Sequence, residues 1–592
     1  MGFRHRMPEQ RSPHGKTNCH QNIPLIPFVI EPVTFHHQGE TESVVQEITV
    51  YTARAIHTMN PSFPVARAVA VRGERIIEVG DPKSLRPWLD AHPHRFDDRF
   101  RDHILMPGFI DPHLHPSMAA LLLQMDFITA MDWRLPWQDV TAVRGRNGFL
   151  DRLGEIESAI SDPDEPLFTW GHHPIWHGDI DRETINDVSA ARPIVVWHRG
   201  FHSLFVNDAA LGWMGLRRAD MERHPQIDAE TGKFFETGLA LAFRAINPYL
   251  LAPERFADGM ERLRACVHHG GHTTIGDMAI GIFDFEMEWA QQLQSLEQDD
   301  TPFRVLLTPF ASNMAGGDVG PERIDEIRSY QARNTHRLKF GNHVKMFADG
   351  GLFSGLSQFG EPGRIDGGHG EWMMAPEIFE KVARLFWHEG FQIHVHCSAE
   401  LGLDLALDTL EKLQWERPRF NHRFTIEHLG LSTLEQVRRM ADLGALASVN
   451  PNYIFELGHA YWQNLVGFER ASQMARGASL IRHNIPTTLH SDFTMAPAQP
   501  LNSAWIAANR LSENGGVLCP EERLTLDDAL RAITIEAAYI LGKENEIGSI
   551  RAGKKADFTV LEQDPYEIPT ADLKDIPIWG TVFEGRIFQL GG

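Results

Sequence analysis

His113 and His115 stand two apart in the stretch PGFIDPHLHP. On an extended chain that spacing turns both rings to one side, where they can hold one metal ion. Taken alone, the pattern fits two hydrogen-bonded histidines at a loop start equally well. Four further residues fall into register with the pair: Lys345 in HVKMFADG, His396 in FQIHVHC, His428 in FTIEH and Asp492 in TTLHSD. Each sits at or near the end of a short apolar run rich in β-formers. His396 and His428 are 32 residues apart, the length of one strand–helix unit, and His428 and Asp492 are 64 apart, the length of two. His394 points to the same side of its run as His396, and the position at the strand end favours His396 as the ligand. Glu427, beside His428, is expected to face away and be structural. Lys345 has Asp349 as an alternative partner.

The elements that must carry these residues can be read from the chain. EIFEKVARLFWHEG and TLEQVRRMADLG read as helices closed by Gly390 and Gly444, each followed by an apolar strand. Eight candidate strands emerge, at 104–110, 273–278, 304–310, 343–349, 392–397, 424–428, 445–450 and 487–492. Strand–helix alternation with eight strands predicts an α/β protein built on a (β/α)8 TIM-type barrel, whose catalytic groups gather at the carboxyl ends of the strands. Residues from 117 to about 262 are too many for one crossover, so they are expected to form an inserted subdomain between barrel strands 1 and 2, with its own strands, such as RPIVVWHRG. Hairpin-like runs at both ends predict a small β-sandwich domain assembled from 46–103 and 546–592, leaving 104–545 as the barrel. Residues 1–45 read as a partly disordered extension.

Composition narrows the function. The chain has 592 residues, 42% of them hydrophobic, and a net charge of −23. Such a surface repels nucleic-acid phosphates and anionic lipid. The four cysteines are scattered, which rules out a disulfide framework or a cysteine-based zinc module. No run reaches the ~18 apolar residues of a membrane span, and the amino-terminal segment is a poor secretory signal. The expectation is a cytoplasmic protein acting on a small molecule, with neither nucleic acid nor membrane as a partner; a homodimer is compatible with it.

The sequence resembles the amidohydrolase superfamily, and specifically the family-3 amidohydrolases that include the YtcJ-like proteins. The resemblance rests on PGFIDPHLHP, RPIVVWHRGFHSLFVNDAAL, GHTTIGDM, VKMFADGGLFSG, FQIHVHC, TIEH, LHSDFTMAPAQPL and GSIRAGKKADFTVLEQDP, which run from about residue 47 to 590. It implies that His113 and His115 bind the more buried metal, that Lys345 is carboxylated and bridges two metals, and that His396 and His428 bind the second. It also implies that Asp492, in preference to His490, is a ligand and the proton shuttle, and that His202 and Asn207 lie near the substrate. LHSDFTM and ADGGLFS depart from the family's usual residues, and both stretches are expected to line the pocket.

The chemistry of the donors agrees. Imidazole and carboxylate suit Zn²⁺. A free ammonium cannot ligate a cation, so Lys345 serves only as a carbamate. Water held between two metals is acidified to near neutrality and can attack a carbonyl carbon. The expected function is therefore hydrolysis of a C–N bond in an amide, formamide-like or cyclic amide substrate, with one or two divalent metals per chain. The rival readings are a mononuclear deaminase using His113, His115, His396 and Asp492, and a non-catalytic binding homologue. His172, His173 and His177, in WGHHPIWH, read as an aromatic substrate wall or plain surface, and 350–370 as a glycine-rich lid.

Overall fold

A computed structural model describes residues 47–312 and 317–591. The extension expected over 1–45 lies outside the described residues. Strands from both ends of the chain join in one eight-stranded sheet. Ile48–His57, Val65–Arg72, Arg75–Gly80, His94–Asp97 and Ile104–Pro107 come from the amino-terminal side. Phe558–Leu561, Ile578–Phe583 and Arg586–Gln589 come from the other end. Gly73 and Gly585, at φ of 59° and 79°, make the two tight turns that the hairpin pattern calls for. Alternation puts Val69 and Val71 in one apolar cluster, with Phe558 and Val560, and Ala68 and Ala70 in another.

The site-bearing strands are β1 (Phe109–Leu114), β2 (His272–Ile280), β3 (Arg304–Pro309), β4 (His343–Phe347), β5 (Gln392–Cys397), β6 (Thr425–His428), β7 (Leu446–Val449) and β8 (Thr487–Leu489). β1 to β3 pair in parallel, as do β4 to β8. A parallel bridge between Phe310 and Lys345 links the two arcs. At the other seam, Asp492 N donates to His113 O at 3.1 Å and His115 N to Phe493 O at 3.2 Å. β1, β2 and β5 are buried at every residue, which explains their continuous apolar character in the sequence.

The expected first strand, 104–110, is corrected. Ile104–Pro107 belongs to the terminal sheet, where it pairs with Phe558–Leu561, and a separate strand beginning at Phe109 pairs with β2. Between β1 and β2 a second, six-stranded sheet includes Leu167–His172, Ile194–His198 and Ser203–Val206. It has an apolar cluster of its own, with Phe149, Leu153, Ile185, Ile194 and Val196.

Candidate metal centre

Asp492 is the hub at which the strand ends meet. Its Oδ1 lies 3.2 Å from His115 Nε2 and 3.5 Å from His113 Nε2, and its Oδ2 lies 3.6 Å from His428 Nδ1. The ligand atoms of His113, His115 and Asp492 fall within 4.8 Å of one another, and so do those of His113, His428 and His490. His396 packs against His428 with ring centres 4.4 Å apart. Lys345 Nζ is 3.5 Å from His113 Nε2.

Local backbone geometry makes this convergence possible. His428 and Asp492 both adopt left-handed conformations, at φ of 72° and 55°, which are uncommon outside glycine. His428 is the last residue of its strand and Asp492 lies three residues past the end of its own. Asp111 ties the ends of β1 and β8 together: Oδ1 accepts from His113 N at 3.2 Å, and Oδ2 from Ser491 N and Oγ at 3.1 and 2.5 Å. Burial pushes the Asp111 carboxyl up to about 7.

Glu427 does not face away. One oxygen accepts from His113 Nδ1 and the other from His394 Nδ1, both at 2.7 Å. The expected alternation fails because the left-handed turn at His428 brings two consecutive residues into the interior. Burial raises the Glu427 carboxyl, but the His394 hydrogen bond and the Lys345 ammonium more than offset it, holding it below its ordinary value. His394 is committed to Glu427 and to His343, whose Nδ1 is 3.1 Å from His394 Nε2, so of the pair on β5 it is His396 that lines the pocket. The alternative pairing of Lys345 with Asp349 is not made. Asp349 instead accepts from the backbone N–H groups of Ser398, Gln358 and Ala399 at 2.8–3.1 Å.

Burial keeps the imidazoles of His113, His396 and His428 neutral, as a metal ligand requires. Burial, reinforced by the neighbouring Lys345, holds His113 and His396 well below the usual histidine range. Burial and His396 do the same for His428. Burial also brings His490 down to about 4. Both ring nitrogens of His428 and of His490 are buried without a hydrogen-bond partner. Orphaned buried donors and acceptors are costly, and these face a cluster of metal-ligating atoms, so the residues fit a bound cation. Burial lowers the Lys345 ammonium to about 8, against the pull of Glu427 and Asp492.

The pocket beside the cluster is lined by His115, His396, His428 and Asp492 together with His202. His202 Nδ1 is 2.9 Å from Glu236 Oε2. A Cβ at Gly351 would come within 2.5 Å of His202 Nε2, so no side chain fits there. Of the two divergent stretches, LHSDFTM supplies Met495 to the lining, whereas Gly350 and Gly351 pack behind Glu236 and His202. Asn207 is not in the lining. Its Oδ1 accepts from Ile194 N and Ala210 N at 3.0 and 2.9 Å, and its Nδ2 donates to Ser189 O and Arg192 O, both at 2.8 Å, capping the helix Asp208–Trp213.

His172, His173 and His177 are neither surface nor pocket wall. All three are buried, each bonded to a backbone carbonyl, of Gly178, Phe353 and Val143 respectively, at 2.9–3.0 Å. The first half of the segment after β4 is packed in place, with Leu352, Phe353 and Ser357 buried and Phe353 5.3 Å from the Tyr453 ring, whereas residues 361–370 are half-buried or exposed. Asp111, Glu427 and His490 are the site residues that sequence reasoning missed. Asp111 stands two before His113, the same same-side spacing that singled out the histidine pair.

The model of the Amidohydrolase family matches residues 101–589. The N-substituted formamide deformylase of Arthrobacter pascens is 24% identical, over 90% of this chain and 96% of its own length. The YtcJ protein of Bacillus subtilis (strain 168) is 25% identical, over 90% and 97%. A crystal structure of an uncharacterized metal-dependent hydrolase from Pyrococcus horikoshii OT3 superposes with a TM-score of 0.67 at 21% identity, covering 88% of this chain and 99% of that one. The chain belongs to the amidohydrolase family and is a metal-dependent hydrolase of carbon–nitrogen bonds other than peptide bonds.

Proposed function

We propose that the protein hydrolyses an amide, formamide-like or cyclic amide bond at a centre formed by His113, His115, Lys345, His396, His428 and Asp492. The observation that carries this reading is the meeting of His113, His115 and Asp492 ligand atoms within 4.8 Å at the ends of strands far apart in sequence. In this reading the two parallel arcs form one closed barrel from Phe109 to about 545 with an insertion over about 117–262, and the terminal sheet is bent into a small two-layered domain.

The donor set suits zinc, and a bound divalent ion would polarise the substrate carbonyl and acidify a water. The chain's own groups do the rest. Glu427 holds the proton on His113 Nδ1 and leaves Nε2 free to ligate. Lys345, as a carbamate, would add a carboxylate between His113 and the second set of histidines. Asp492 accepts the proton of the attacking water on a carboxylate oxygen and delivers it to the departing nitrogen. His202, oriented by Glu236, contacts the substrate from the pocket wall.

The test is a zinc-loaded enzyme assayed for amine release from N-acyl and N-formyl amines and for ring opening of cyclic amides. Metal content distinguishes a binuclear hydrolase, at two ions per chain, from a mononuclear deaminase, at one. Asp492→Asn should lower turnover at least ~10²-fold with the fold retained; near-wild-type turnover would overturn the proton-shuttle role.

A further inference from the structure

The pocket has two kinds of surface. Its polar part consists of the ligand cluster and the His202–Glu236 pair. The remainder is mostly apolar, with Leu239 and Phe243 from the inserted region, Ile282 and Phe283 after β2, Phe347 on β4 and Met373. Among the described residues no lysine or arginine lines it, whereas two carboxylates, Glu236 and Asp492, do. The guanidinium nearest in sequence, Arg199, is committed elsewhere. Its Nη2 donates to both Glu456 oxygens, at 2.8 and 2.7 Å, and its plane lies 4.7 Å from the rings of both Trp170 and Phe353.

This apolar wall is preformed. The buried Glu288 carboxylate accepts from the backbone N–H groups of Gly281, Phe283 and Asp284 at 3.1, 2.7 and 3.1 Å, fixing the segment that presents Ile282 and Phe283. Phe283 in turn meets Phe243 edge to face, with ring centres 5.7 Å apart. An aryl or branched alkyl group set against these side chains exchanges water for apolar contact. A carboxylate set against these side chains would lose its water without gaining a donor from them, and the His202 imidazole in the same lining is already paired with Glu236.

We infer that the substrate is an uncharged amide carrying a bulky apolar group, and that the pocket rejects amides whose substituent bears a carboxylate. This rests on the amide-hydrolase reading above and narrows it.

N-formyl-2-phenylethylamine and N-formylphenylalanine differ only by a carboxylate and make a matched pair for the zinc-loaded full-length chain. The neutral compound should have a kcat/KM higher by about 100-fold or more. Calorimetry with the Asp492→Asn variant reads the same preference without turnover, and the neutral compound should bind at least ~10-fold tighter. Phe283→Arg, which puts a cation in the wall, should shift the ratio toward the carboxylate compound by at least ~10-fold. Equal treatment of the two compounds, preference for the acid, or no binding of either overturns the inference. Preferential binding of the neutral compound without cleavage of any amide sinks the hydrolase reading and leaves the pocket's preference standing.

Discussion

His113 donates its Nδ1–H to Glu427 at 2.7 Å, and both side chains are fully buried. That bond fixes the tautomer, so the lone pair on Nε2 is the one directed at Asp492 and the neighbouring ligands. Glu427→Gln keeps the shape but offers a side-chain N–H that competes for the wrong tautomer. Metal affinity should fall about 10- to 100-fold, the usual cost of losing such a partner, as read by competition with a chelator. Unchanged affinity would mean that Glu427 serves packing alone.

Lys345 carries the next prediction. Its ammonium is brought down to about 8 by burial, so a substantial neutral fraction exists in mildly alkaline solution, and only the neutral amine reacts with carbon dioxide. Reconstitution with metal should therefore be faster and more complete with bicarbonate than in decarbonated buffer, and native mass spectrometry should detect one bound carbon dioxide per chain. Lys345→Met fills the same space without nitrogen and should lower turnover at least ~10²-fold, with partial rescue by a short-chain carboxylic acid. Full activity of the methionine variant would remove lysine from the ligand set.

These two residues also mark how far the sequence could be read. Lys345 and His396 are legible because each is a polar residue in a strand buried over nearly its whole length, and His396 is separated from His394, on the same side, only by its place at the strand end. Glu427 is not, because the alternation rule holds only while the strand stays extended, and the backbone at His428 leaves the extended region at φ 72°. With Asp492 in the left-handed region, His490 also enters the site, stacked on His113 with ring centres 4.4 Å apart, where the preference for Asp492 leaves it out. In the fold, ILMPGFI reads as one apolar run only if its Pro107–Gly108 pair, an ordinary break signal, is passed over; the chain leaves the terminal sheet for β1 at that pair. Asn207 shows the converse: the motif around it was recognised, but its role is in the scaffold.

Glu288 gives a pH-dependent expectation. Burial pushes its carboxyl up to about 7, although Phe283 and Gly281 N–H groups and Ser117 pull it down. With the folded value above the unfolded one, the folded state binds the extra proton. Its ionisation therefore costs nothing below about pH 4.5 and the full penalty above about pH 7. A shift of this size corresponds to roughly 3 kcal/mol. The stability of Glu288→Gln relative to wild type should rise across that window, measured as the difference in denaturant midpoints at pH 4.5 and 8. A flat difference would mean that the two states share one proton affinity at this position.

Asn207 separates scaffold from site. Its four hydrogen bonds satisfy two backbone donors and two backbone carbonyls around the start of helix Asp208–Trp213, all in a fully buried position. Asn207→Ala leaves these groups unpaired, and at about 1 kcal/mol for each the loss should be of the order of 3–4 kcal/mol. Asn207→Asp keeps the capping oxygen but cannot donate to Ser189 and Arg192, and it buries a charge, so it should be no better. At a temperature where each variant is still folded, KM should match wild type, because the side chain bonds only to backbone and lies outside the pocket lining. A raised KM with undiminished thermal stability would return Asn207 to the substrate.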